Sequence, residues 1–107
     1  MAIHPRFDYT WHVGETATPF EIEARWSDDT PRADIVSATF TLTNRDTEAA
    51  IIDAQPCQSV AGGVLSYRPS SDEMQTPCRF LAQFICTLTG SYIQPTFHIE
   101  GEIEDNL

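Results

Sequence analysis

The chain has 107 residues, 41% of them hydrophobic and 21% charged, with sixteen acids against six bases for a formal charge of −10. That length suits one compact domain and not two, and it buries enough surface for a core without metal or disulfide staples. All six bases are arginines, scattered singly among the acids. Nucleic acids and anionic membranes select clustered Lys and Arg, so neither is an expected partner. No apolar stretch approaches the ~20 residues needed to cross a bilayer. The start MAIHPRFDYT lacks a basic segment followed by an apolar block, so the expected product is soluble, without a signal peptide.

Helical periodicity is absent. Thr, Val, Ile and aromatic residues dominate, punctuated by Gly, Pro and Asp pairs about every ten residues, which is the pattern of an all-β sandwich or barrel. The first predicted strand, Phe7–Val13, alternates Phe7, Tyr9 and Trp11 against Asp8, Thr10 and His12. The second, Thr18–Trp26, sets Phe20, Ile22, Ala24 and Trp26 against Glu21, Glu23 and Arg25, with one face to a core and the other to water. Ser27-Asp28-Asp29-Thr30-Pro31 forms a turn.

A third strand, Ile35–Asn44, points Ala38, Phe40 and Leu42 inward and Ser37, Thr39, Thr41 and Thr43 outward. A short fourth strand spans Ala50–Ala54, and Gly62-Gly63 permits a reversal at positive φ into Val64–Arg68. Arg79–Thr89 is the strongest strand. Phe80, Ala82, Phe84, Cys86 and Leu88 share one face, while Leu81 and Ile85 put apolar surface on the other. Gly90-Ser91 turns the chain into a last strand, Tyr92–Ile103, in which Pro95 marks an edge or a bulge. The predicted fold is therefore an immunoglobulin-like antiparallel β-sandwich of about seven strands, one domain over 1–107. Residues 1–6 are expected to be an N-terminal arm and 101–107 an acidic tail, each flexible or ordered by a partner.

Chemistry-bearing patterns are sparse. Cys57, Cys78 and Cys86 form no CxxC and read as free thiols of a reducing compartment, with a Cys57–Cys78 bridge left open. His4, His12 and His98 lack ligand spacing, so no metal or other cofactor is expected. Glu21 and Glu23, at alternate strand positions, read as a solvated face and not as a catalytic pair. No GxSxG turn or phosphate loop occurs. No enzyme is expected and no catalytic residue is assigned. What stands out is apolar matter on presumed outer faces and turns. Trp11, Leu81, Ile85 and Tyr92 are the candidate partner interface, with the strand around Pro95 as a candidate pairing edge.

The ordered features of HVGETATPFEIEARWSDDTPRADIVSATFTLTNRD and GGVLSYRPSSDEMQTPCRFLAQFICTLTGSYIQPTFHI resemble the N-terminal immunoglobulin-like domain of phage baseplate upper proteins and related tail and neck components. Gly63, Val64, Tyr67, Pro77, Phe80, Phe84 and Gly90 stand at the matching places over roughly residues 7–100. Cys78 departs from the small glycine that usually follows the proline. The resemblance implies a structural virion protein of a tailed bacteriophage, made in the host cytoplasm. It would join neck, tail, baseplate or capsid components, with other phage structural proteins and copies of itself as partners. The alternative function is a carbohydrate-binding β-sandwich that stacks sugars on exposed aromatics such as Trp11.

Overall fold

The computed structural model describes residues 2–5, 10–96 and 98–105, and it confirms the β-sandwich. Among the described residues, nine strands run in the order β1 (Ala2–Pro5), β2 (Thr10–His12), β3 (Phe20–Arg25), β4 (Ile35–Asn44), β5 (Ala50–Pro56), β6 (Val64–Tyr67), β7 (Cys78–Leu88), β8 (Ile93–Pro95) and β9 (Ile99–Glu104). The smaller sheet has the order β1-β3-β6. The larger one has the order β2-β9-β7-β4-β5, with β8 also paired to β7.

Strict alternation builds both layers. In β3 the buried residues are Phe20, Ile22 and Ala24, and in β7 they are Cys78, Phe80, Ala82, Phe84 and Cys86. In β4 they include Ala38, Phe40 and Leu42. Each sheet therefore turns one apolar face inward, and their facing side chains form a single core.

An aromatic column runs through that core. Trp11 stacks on Phe20 at 4.2 Å between ring centroids, Phe20 on Phe40 at 4.9 Å, and Phe40 on Tyr67 at 4.9 Å. These rings come alternately from the larger sheet (β2, β4) and the smaller sheet (β3, β6). Phe80 and Phe84 of β7 flank the column, Phe80 edge-on to Phe20 at 5.7 Å and Phe84 tilted against Phe40 at 4.9 Å. Such pairs contribute about 0.5–1.5 kcal/mol each beyond the burial of their area.

Three sequence expectations change. The arm contains a strand, because Ala2–Pro5 pairs with Ile22–Arg25 of β3. The acidic tail is strand through Glu104, with Ile103 only 2% exposed, so residues 101–104 belong to the sheet. β2 pairs with β9 in parallel, Trp11 opposite Ile103, so the sandwich is not wholly antiparallel. Phe7 and Tyr9 lie outside the described residues.

The predicted last strand is also two strands. After Pro95, Thr96 turns inward, and its hydroxyl accepts the Phe84 backbone N–H at 3.1 Å. The Gln83 side-chain amide donates to the Thr96 carbonyl at 2.8 Å. These side-chain bonds replace part of the ladder and separate β8 from β9.

Gly63 is held where only glycine fits. Its φ is +79°, and a Cβ there would lie 2.6 Å from the Ala24 carbonyl oxygen and 2.8 Å from that of Arg32. Gly62 has φ +62° and nothing within 4 Å of a Cβ. Gly63→Ala should therefore lose at least about 3 kcal/mol and Gly62→Ala about 1 kcal/mol, read as shifts of the urea midpoint. Equal losses would remove the steric account.

Candidate interaction surface

The larger sheet has an inner face in the core and an outer face on the surface. Cross-strand partners share a face, so the outer face follows from the register. Ile93 lies opposite Thr87, and Thr87 opposite Ser37; Pro95 lies opposite Ile85, and Ile85 opposite Thr39. Gln83 faces Thr41, and Leu81 faces Thr43.

This part of the surface carries no formal charge, in a chain of net charge −10. The reason is visible in the sequence, where residues 35–44 and 80–99 contain no Asp, Glu, Lys or Arg. The two runs are neighbouring strands, β4 and β7, followed by the turn and β8. Toward β9 the face becomes ionic. There Arg45 pairs with Glu100 at 3.1 Å and Arg79 with Asp46 at 3.0 Å.

Four of the five residues expected at an interface sit on or beside the neutral strip. Leu81 and Ile85 are half-buried within it, Pro95 is exposed on β8, and Tyr92 is 71% exposed in the turn before β8. Trp11 does not belong with them. It is completely buried, stacked on Phe20, and its indole N–H donates to the Thr18 carbonyl at 3.0 Å. Burial of one large ring in the column outweighed the presumed outward position, and a sugar platform on Trp11 is thereby ruled out.

The sequence reading missed Val36 and Ile93, which are 62% and 64% exposed. Alternation counted back from the buried Ile99 would turn Ile93 inward. The break at Thr96 reverses that assignment, because Gln94 points inward and receives a bond from Arg32 at 3.1 Å. Val36 stands where the β4–β7 register shifts, between Ile35 and Ser37.

The β8 edge has few pairing groups. The Leu88 N–H donates to Tyr92 and the Thr96 N–H to Phe84, so residues 92, 94 and 96 aim their backbone groups at β7. Residues 93 and 95 then aim outward, and Pro95 has no N–H to offer. A single donor remains, which corrects the expectation of a pairing edge at Pro95.

Behind β8, Arg32 closes the end of the sandwich. It is 4% exposed, lies 4.0 Å over the Trp26 ring, donates to Gln94, and forms a two-pronged ion pair with Asp34, one prong being Nε to Oδ1 at 2.9 Å. That bond to Arg32 holds the Asp34 carboxyl below its ordinary pKa of 3.8. A lowered native pKa stabilises the fold above about pH 4 and ceases to do so as pH falls through the native value. Asp34→Asn should therefore flatten the acid limb of the stability–pH curve below about pH 5 relative to the parent chain, measured by urea midpoints. An unchanged difference across that range would contradict the pairing.

The other described arginines are also engaged within the chain. Arg25 pairs with Glu23 and Asp29, and Arg68 donates to the carbonyls of Thr16 and Ala17 at 2.9 and 2.7 Å.

The surface formed by the described residues includes two open hollows. The first, about 680 Å3, is open and lined by Gln58, Tyr67, Arg68, Ser70 and Glu73. Its polar groups serve the fold: Glu73 accepts from the Tyr67 hydroxyl at 2.9 Å and from the Ser70 N–H at 2.8 Å. Burial first, and the Glu73 bond second, push the Tyr67 hydroxyl up to about 12. The second, about 280 Å3, is lined by Glu100 and Glu102 among others. Both side chains are exposed and Glu100 is ion-paired, so neither has the desolvated setting that makes a carboxyl a general acid. Among the described residues, no three His, Cys, Asp or Glu side chains come together as a metal site. His12 and His98 are both exposed.

Cys57 and Cys78 lie at opposite ends of the larger sheet, which excludes the bridge left open above. The Cys57 N–H bonds Ala38, whereas Cys78 pairs with Ile103. All three cysteines are free. Burial pushes the Cys57 thiol up to about 12 and Cys86 to about 11, and it raises Cys78 as well. The native chain should react with a thiol-specific disulfide reagent at pH 8 at least about tenfold more slowly than the unfolded chain. A fast native thiol would contradict the burial.

No family model and no curated protein matches the chain. Among solved structures, CopC from Methylosinus trichosporium OB3b matches with a TM-score of 0.57 and 10% identity, over 99% of each chain. At that identity the likeness shows the fold. It also corrects the expectation of a tailed-phage virion protein: the arrangement of strands that resembled a baseplate domain is found along the whole length of CopC, which is not a phage component.

Proposed function

We propose that this chain is a non-catalytic interaction module that works by docking a protein partner on the neutral outer strip of β4, β7 and β8. The observation that carries the reading is the segregation of charge. A chain with sixteen acids leaves Ser37, Thr39, Ile85, Thr87, Ile93 and Pro95 as one uncharged surface, with Tyr92 protruding beside it. Interface cores are depleted in charge and enriched in aromatics, and burying this strip strands no ion. The committed state of the described arginines supports a partner that is not itself a strong anion.

Hydroxyl-radical footprinting tests the reading. In extract of the cells that make the protein, labelling of Ile85, Tyr92 and Ile93 should fall relative to the purified dilute chain. Equal labelling in both, or protection confined to the acidic turns at Asp28-Asp29 and Asp72-Glu73, would refute it.

A further inference from the structure

We infer that the neutral strip pairs face to face with the same strip of a second copy of this chain. The inference rests on the docking reading above and names its partner.

Two copies of −10 repel wherever their acidic surfaces meet, so a self-contact must use a patch without formal charge. Such a patch runs along β4 and β7 from Val36 and Thr87 to Thr43 and Leu81, is widened by β8 at the Tyr92 end, and is bordered at the other end by Glu100 of β9 opposite Leu81. A strongly basic partner would gain nothing there, because the acids it seeks lie elsewhere on the chain. A second copy matches the strip with neutral Thr, Ile, Gln and Pro side chains on both sides and leaves no unpaired ion buried.

Edge-to-edge pairing at β8 is blunted by Pro95. At β5 it is blunted by the register shifts around Leu42 and by Ala54 at φ +48°. Face packing needs no backbone donors. Sheets stack at about 10 Å with their side chains interlocked, and a Thr- and Ile-rich face is suited to that.

Eight residues each of β4 and β7 with three of β8 cover roughly 300 Å2 on each copy, at about 3.4 Å per residue and 4.8 Å per strand. Twice that falls in the weak, transient class of interfaces. A dimer of that size is weak and exchanges.

Salt distinguishes this contact from a charge-driven one. Four stacked sheet layers put the two centres about 20 Å apart, beyond the roughly 6 Å screening length at 0.3 M salt but close to the roughly 14 Å length at 0.05 M. Raising salt over that range should strengthen the dimer at least about tenfold, whereas a contact between opposite charges would weaken.

Sedimentation equilibrium of the purified chain, from 10 μM to 1 mM at both salt concentrations, is the test. Dimer that grows with both variables supports the inference. Ile85→Asp and Ile93→Asp should each return the chain to monomer at 0.3 M salt with an unchanged melting temperature, and Thr41→Lys supplies a second probe of the strip should either variant unfold. Monomer throughout, or a dimer indifferent to all three variants, overturns self-pairing. Footprint protection in extract would then still stand for docking of a different protein, so the two readings fail separately.

Discussion

The stacking of rings from alternating sheets is the constraint on which the rest of the molecule depends. Trp11, Phe20, Phe40 and Tyr67 take turns from the larger and the smaller sheet, so neither sheet can slide without unstacking the column. A one-residue slip in any of these strands would carry a ring to the opposite face. The column therefore fixes which residues of β4 and β7 face outward, and hence the composition of the surface opposite the core.

Tyr67 links the column to the loops. Its ring ends the stack, and its hydroxyl binds Glu73, which in turn receives the Ser70 N–H. At the other end of the strands, Arg32 fills the gap between sheets and is fully engaged by Trp26, Asp34 and Gln94. A guanidinium buried this way requires several partners at once, since an unpaired one would cost several kcal/mol. Gly63 completes that end by letting backbone approach Ala24 and Arg32 without a side chain.

Charge is arranged as well as present. The described arginines are bound to acids, carbonyls or an aromatic ring of the same chain, so they hold the structure together and leave the acidic excess facing water. The strip between β4 and β8 carries none of that excess. Its neutrality costs solubility that the sixteen acids elsewhere restore, an arrangement that suits a surface reserved for contact.

Alternation in the sequence determined the sandwich, the inward residues of β3, β4 and β7, and the position of Leu81 and Ile85 on an outer face. Those features follow from the period of two, which is local. The sequence also held the two charge-free runs, 35–44 and 80–99, but not that they become adjacent strands. Only the tertiary structure decided that Trp11 goes inside, because its face depends on the parallel pairing of β2 with β9, in which Trp11 lies opposite Ile103. It likewise decided the reversal at Ile93 and Gln94, since the break after Pro95 is set by the inward turn of Thr96 onto Phe84. Which ring fills a column and which strand lies beside another are properties of distant partners, and no local pattern records them.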